Sequence, residues 1–164
     1  FISTTLVERS AVNFEQADAV NQAIRLLSLR HRARAAALLA EFDLHTGQEV
    51  LLLELDRRGP LIQAELSDAL GCEPPSVTVM TRKLERAGYV CRSASPTDRR
   101  ATVVELTTSG KAVVADVKKV WCELAAETVD GLSAATVAEL PDLLGALARN
   151  VDSRQRRGSD VGTN

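Results

Sequence analysis

The chain is poor in the residues that build metal centres and disulfide frameworks. Its 164 residues include only three cysteines and two histidines. Cys72, Cys91 and Cys122 form no CxxC pair, and their odd number leaves at least one thiol unpaired, so the pattern indicates neither a zinc cluster nor a disulfide scaffold. We expect three reduced, small and buried side chains, with no metal and no cofactor.

Long apolar runs and catalytic motifs are also missing. No stretch of about 18 uncharged apolar residues occurs, and the first ten residues lack the basic-then-apolar order of a secretory signal. No glycine-rich phosphate loop and no nucleophile spaced from a base is present, which argues against an enzyme. An apolar content of 45% is enough for a buried core, and the cytoplasm is the predicted compartment, without a membrane partner.

Charge is unevenly distributed along the chain. The net charge of −2 argues at first against a nucleic-acid partner, because Lys and Arg supply much of the affinity for DNA. From residue 76 to 111, however, seven Lys or Arg stand against three acids, whereas residues 112–150 carry a local balance of −3. This asymmetry predicts an acidic scaffold that carries a basic binding surface.

Helical periodicity dominates the chain. We predict helices at 14–41, at 46–58 after a Thr46 cap, at 110–129 after a Thr107 or Thr108 cap, and at 133–150, with short strands at 89–92 and 101–106. Pro141 should kink or break the last helix. A lone Trp121 is expected in the core rather than at an interface.

Residues 61–87 predict two helices joined by a sharp turn. Gly71 supplies the left-handed backbone that ends the first helix, and Pro74 and Pro75 suit the opening turn of the second helix, at 73–87. The spacing of its apolar residues turns Val77, Met80 or Thr81, and Leu84 toward the core. The outer face would then carry Ser76, Thr78, Val79, Arg82, Lys83 and Arg86.

That outer face is typical of a recognition helix. Residues near the start of such a helix lie against base edges in the major groove, so the candidate base contacts are Ser76, Thr78, Val79 and Arg82. Lys83 and Arg86 are candidates for phosphate contacts. The alternative is a solvated helix face without a partner, which is common on surface helices.

Asp98, Arg99 and Arg100 lie at the tip of the predicted hairpin. Arginine suits a narrow minor groove, because its planar head stays charged and the groove concentrates negative potential. We expect the Asp98 carboxylate to bind the Arg100 guanidinium and to orient it. The alternative is a polar turn with an exposed ion pair of little consequence for stability.

Together these motifs resemble the MarR family of bacterial transcriptional regulators. The resemblance spans residues 44–111 and rests on LIQAELSDALGCEPPSVTVMTRKLERAGYV, the DRR tip and VVELTTSGK in that order. Val79 departs from the family pattern, in which a basic residue is common at this position, although valine fits a thymine methyl group.

The resemblance implies a mainly α fold, in which a winged helix-turn-helix with a small β-hairpin wing is joined to a helical dimerisation region. Its expected layout is an N-terminal dimerisation region at 1–44, the DNA-binding domain at 45–107, C-terminal dimerisation helices at 108–152 and a tail at 153–164. The partners it implies are double-stranded DNA with a palindromic operator, a second copy of the chain, and a small phenolic or aromatic carboxylate effector that releases a repressor from DNA.

Candidate effector contacts lie on the first helix. Arg30, His31 and Arg34 form a basic cluster there that suits an anionic ligand, although a solvated basic face is the simpler interpretation. A winged helix can also serve as a protein-interaction module without sequence-specific DNA binding, since a fold does not by itself fix a function.

Overall fold

The computed structural model describes residues 12–98 and 100–159, with side chains described as far as residue 152. Within these residues the helices are α1 (Phe14–Ala40), α2 (Gln48–Arg58), α3 (Gln63–Leu70), α4 (Pro74–Arg86), α5 (Thr108–Thr128) and α6 (Ala134–Ser159). The strands are β1 (Leu61–Ile62), β2 (Val90–Ala94) and β3 (Thr102–Leu106). The predicted class, mainly helical with a small hairpin, is confirmed.

The three strands form one antiparallel sheet in the order β1-β3-β2. Val104 of β3 lies in the middle, paired with Leu61 on one side and Arg92 on the other. Strand β1 was not predicted, because two residues are too short to show the alternation that marks a strand. Its pairing attaches the start of the helix-turn-helix to the hairpin.

Leucine and valine form the core of the helix-turn-helix region. The most deeply buried side chains include Leu39, Leu51, Leu52, Leu66, Val77, Leu84, Val90, Val104, Val114 and Val117. They come from five helices and two strands, so each element is held by apolar burial against several others. This packing provides the rigid frame on which the exposed faces of α4 and the hairpin are placed.

Helix α1 has two different halves. It begins at an Asn13 capping box and ends at Ala40, directly after the buried Leu38 and Leu39. Its first half instead exposes an apolar stripe, with Val20 at 54%, Ile24 at 48% and Leu27 at 47% exposure. These residues are spaced at i, i+4 and i+7, so they lie on one side of the helix.

The start of α2 differs from the predicted Thr46 cap. The N-cap is Gly47, with φ of 100°, and its N–H donates to the Glu49 carboxylate at 2.6 Å. Glycine adopts this φ without strain, and a Cβ there would approach the sulfur of Met80 to 3.3 Å. Burial raises the pKa of Glu49 above its ordinary value. The turn before α2 thus packs directly on α4.

The end of the hairpin packs closely on the start of α5. Thr107 caps α5, accepting a hydrogen bond from the N–H of Gly110 at 3.0 Å, and its hydroxyl donates to the carbonyl of Gly88 at 2.6 Å. A Cβ on Gly110 would lie only 1.9 Å from the carbonyl oxygen of Tyr89. Of the two threonines predicted as caps, Thr107 is the one that caps.

One expectation for the later helices is wrong, and another is narrowed. Trp121 is 42% exposed rather than in the core, because the inward positions of α5 are taken by its neighbour Val120 and by other valines. Pro141 does not break α6, which is helical on both sides of it, while the kink predicted as the other outcome stays a prediction.

Residues up to Leu124 and residues from Ala125 onward form two compact units. The predicted domain boundaries at 45, 108 and 153 remain predictions. No helix among residues 12–98 and 100–159 combines the length and apolar character needed to cross a bilayer.

Candidate nucleic-acid interface

Helix α4 is fixed in place by its inner face. Pro74 and Pro75 occupy its first turn, where a missing N–H costs nothing, and Val77, Thr81 and Leu84 are buried as predicted. The Thr81 hydroxyl accepts a hydrogen bond from the Gln63 side chain of α3 at 2.9 Å. This partly buried polar contact links the two helices of the motif.

The outer face of α4 is accessible. Ser76, Arg82, Lys83 and Arg86 are exposed, and Val79 is 53% exposed, while Thr78 is half-buried. The Thr78 hydroxyl donates to the carbonyl of Pro74 at 3.0 Å, which leaves its oxygen lone pair and methyl group for contacts outside the chain. An exposed valine has no packing role here, so the helix presents a mixed polar and apolar surface followed by three cations.

The wing tip is shaped by side-chain bonds to the backbone. The buried Ser95 hydroxyl accepts from the N–H groups of Thr97 and Asp98, each at 3.3 Å. Asp98 Oδ1 accepts from the backbone N–H of Arg100 at 2.9 Å. The expected bond from Asp98 to the Arg100 guanidinium is therefore replaced by a turn contact, since an Asp side chain readily reaches the N–H two residues further on. Arg99 lies outside the described residues.

The Arg100 side chain is exposed at this tip. Its backbone N–H is held by Asp98, so Asp98 positions Arg100 through the main chain. The end of the hairpin therefore carries an exposed cation as predicted, although Asp98 binds the backbone of Arg100 instead of its guanidinium.

An ion pair joins α4 to the wing. Nε and Nη2 of Arg92, on β2, both donate to Oε2 of Glu85, on the last turn of α4, at 2.8 and 2.5 Å. Hydrogen bonding to Arg92 lowers the pKa of Glu85 from its ordinary value. The Glu85 side chain is 36% exposed and the Arg92 side chain is 26% exposed. Sequence reasoning counted both residues only as charges, although two opposite charges on either side of the Gly88 turn were a usable signal.

The residues predicted for the effector lie on the exposed part of α1. Arg30 and His31 are exposed, and Arg34 bonds Glu123 of α5 at 3.2 Å. A cleft of about 320 Å³ is found elsewhere, between the turn that precedes α2 and the last turns of α4. Its lining residues are Asp43, Leu44, His45, Gln48, Lys83, Leu84, Arg86 and Ala87. It shares Asp43, Leu44 and His45 with a smaller cleft of about 190 Å³.

The cysteines are more accessible than expected. Cys91 and Cys122 are exposed and Cys72 is half-buried, so the expectation of three buried thiols is wrong. Cys91 lies on an outward position of β2, and its thiol contacts the Glu105 carboxylate at 3.3 Å, which raises the thiol pKa. No group of three metal-ligating side chains occurs in the described part of the chain.

Comparison with known proteins agrees with this architecture. The sequence model of the MarR family matches residues 44–102. Among solved structures, the transcriptional repressor CouR, bound to a 23-mer DNA duplex, is 27% identical with a TM-score of 0.76, and the match covers 82% of this chain and 96% of that one. A MarR transcriptional regulator from Methanosarcina mazei is 25% identical with a TM-score of 0.75, covering 83% and 98%. Wild-type MarR from E. coli, in its apo form, is 25% identical with a TM-score of 0.67, covering 78% and 95%.

The helix-turn-helix, the antiparallel wing and the flanking helices define a winged-helix transcription regulator. Residues 44–102 match the MarR family model, and the chain is similar in fold and sequence to solved MarR-family transcriptional regulators.

Proposed function

We propose that this protein is a homodimeric repressor that binds a palindromic operator and is released by a small phenolic or aromatic carboxylate ligand. The observation that carries the DNA-binding part of this proposal is the exposed outer face of α4 beside an exposed Arg100 at the wing tip. The similar repressor CouR was solved with a 23-mer DNA duplex, which supports the same use of the fold here.

In this proposal α4 enters the major groove. Ser76, Thr78, Val79 and Arg82 contact base edges, with Val79 against a thymine methyl group, because such contacts come from the first turns of a recognition helix. Lys83 and Arg86 lie further along the helix and bind phosphates. Phosphate contacts of this kind fix the position of the protein on the duplex without reading the sequence.

The wing reaches the adjacent minor groove. Arg100 enters that groove, Asp98 holds its backbone, and Arg99 contributes a second cation. Asp98 Oδ1 accepts a hydrogen bond from the Arg100 N–H, which gives the acid a structural role at a DNA-facing tip.

A dimer is supported by the apolar surface that α1 and α6 leave exposed. On α1 the stripe consists of Val20, Ile24 and Leu27, and on α6 the exposed residues are Leu143, Leu144, Leu147 and Val151. Exposed apolar side chains repeated at helical spacing are typical of a helix face that packs against another chain. Two copies would present two winged domains to the two halves of a palindrome.

The effector part of the proposal rests on a cluster of basic side chains on the exposed part of α1. Arg30, His31 and Arg34 remain the proposed contacts for an anionic ligand on α1. A ligand of this kind releases DNA only if it binds the DNA-free arrangement more tightly than the DNA-bound one.

Binding to the promoter region of its own gene tests the DNA-reading function. We expect a salt-sensitive gel shift, and we expect Arg100→Ala to weaken operator binding by about 1–3 kcal/mol while the thermal unfolding midpoint stays unchanged. The matched control is Lys119→Ala, which removes a cation from an exposed position on α5. If Arg100→Ala and the control bind alike, the wing assignment is wrong. If no DNA sequence is selected from a random pool, the domain is a protein-interaction module.

A further inference from the structure

The two DNA-reading elements are joined by a short turn. Helix α4 ends at Arg86, and Gly88, with φ of 77°, leads into β2 at Val90. Backbone bonds close this turn: the N–H of Tyr89 donates to Leu84 and that of Gly88 to Glu85, both at 2.9 Å. All of these bonds lie at the base of the hairpin, and the pairing of β3 with β1 attaches the other strand, so none of them joins the middle of β2 to α4.

The Glu85–Arg92 pair is a second attachment, further from the turn. Arg92 pairs with Val104 of β3 in the middle of the hairpin, so a bond to its side chain acts on both wing strands. Two donors on one carboxylate oxygen restrict both the distance and the angle between the groups. The hairpin is thereby attached to α4 at two separated points.

The negative charge of Glu85 allows a positioning role to be distinguished from a purely electrostatic effect on DNA binding. An acid on a helix that enters the major groove repels phosphates, so simple electrostatics predicts that its removal improves DNA binding. An acid that orients the wing predicts the opposite result.

We propose that Glu85 and Arg92 are positioning residues, which hold the wing at the angle to α4 that lets Arg100 enter the minor groove while α4 occupies the major groove. This inference rests on the DNA-binding function proposed above. It adds a role for two residues that touch each other rather than bases.

The first test asks whether Glu85→Gln lowers or raises operator affinity. We expect a loss of about tenfold, within the range of coupling between contacting residues. The matched control is Glu105→Gln, which removes an acid from the neighbouring strand outside the pair and should leave affinity equal or higher. Arg92→Lys keeps the positive charge but cannot make the same two-donor contact, so it should also lose affinity.

The second test separates positioning from simple stability. In the Glu85→Gln background, Arg100→Ala should weaken binding by a smaller factor than in the wild type, because the wing tip is no longer held in the groove. If Glu85→Gln only lowered the amount of folded protein, it would reduce the apparent affinity by the same factor with and without Arg100→Ala, and the factor for Arg100→Ala would stay unchanged. Thermal unfolding of each variant measures that folded fraction.

The outcomes are distinguishable. If the wild type shows no salt-sensitive DNA binding, the proposed function and this inference fail together. If the wild type binds and Arg100→Ala weakens binding, but Glu85→Gln binds as tightly as the wild type or tighter, the function stands and the positioning role is rejected. An unchanged factor for Arg100→Ala in the Glu85→Gln background also rejects it.

Discussion

Asp98 and Arg100 show that the contacts of a side chain depend on the local backbone as well as on the residue types. Both were predicted as wing residues from the DRR motif, but the motif does not reveal which group of Arg100 the carboxylate binds. The bond to the backbone N–H depends on the turn formed around Ser95, whose hydroxyl is bonded to two further backbone groups. Residue types thus predicted the location of the tip, and only the local backbone determined its internal contacts.

The alkylation rate of Cys91 reports on the electrostatics of the wing around a single side chain. Its hydrogen bond to the Glu105 carboxylate, together with that negative charge, raises the thiol pKa, so less of the reactive thiolate forms near neutral pH. We expect slow alkylation of Cys91 by iodoacetamide at pH 8, and we expect Glu105→Gln to accelerate it several-fold.

A background of Cys72→Ser and Cys122→Ser leaves Cys91 as the only reactive thiol in this experiment. Because the effect arises from a carboxylate, the rates of the two proteins should converge as the pH rises above the raised pKa. Equal alkylation rates at pH 8 would contradict the role given to Glu105.

At the scale of elements, the end of the hairpin packs so closely on the start of α5 that Gly110 has no room for a side chain. Gly110→Ala should destabilise the protein by about 2 kcal/mol, because the new Cβ would overlap the Tyr89 carbonyl, at 1.9 Å, and either α5 or the hairpin end must move. The gain in helix propensity, about 1 kcal/mol, does not offset this overlap. Chemical denaturation gives the free energy of unfolding directly.

Gly145→Ala on α6 is the matched control for this substitution. Its Cβ would meet only the flexible end of the Arg149 side chain, at 3.2 Å, so the same chemical change should be neutral or stabilising. A loss of stability at Gly145 as large as that at Gly110 would mean that the Tyr89 contact is not the cause.

The same scale shows why some elements were predictable and others were not. Helix α4 has a proline start and an apolar face at helical spacing, so both its extent and its buried side were predicted. Strand β1 has two residues, and its pairing with β3 depends on contacts distant in sequence. Thr46 has a suitable cap side chain, but the positive φ at position 47 places the cap one residue later.

The ion pair between α4 and β2 also escaped prediction for a physical reason. Glu85 and Arg92 are seven residues apart, a separation that on one continuous helix gives neighbours two turns apart. They meet because the chain reverses at Gly88. Their contact therefore depends on the turn geometry, which residue types alone predicted only approximately.

For the whole molecule, the exposed stripe on α1 predicts association. Ile24→Glu combined with Leu27→Glu should convert the proposed dimer to a monomer, because two charges would be buried without partners at the interface. Both residues are about half exposed in the single chain, so the fold of the monomer should survive. Sedimentation velocity measures the change in mass, and circular dichroism checks the helix content.

Gln22→Glu is the control for this pair, since position 22 lies on the opposite side of α1 from position 24. It should sediment like the wild type. Dissociation by Gln22→Glu, or an intact dimer in the Ile24→Glu and Leu27→Glu variant, would place the interface on another surface.

The exposed Val79 on α4 bears on how the DNA target of this protein can change in evolution. Of its four predicted base-reading positions, 76, 78 and 79 carry uncharged side chains, and Arg82 is the one that also belongs to the cations at 82, 83 and 86. In the proposed function, long-range attraction to nucleic acid and the choice of target sequence therefore depend on sets of residues that share only Arg82. Gene duplicates can acquire new targets by exchanging a few small side chains, without losing their general attraction to the chromosome during the transition.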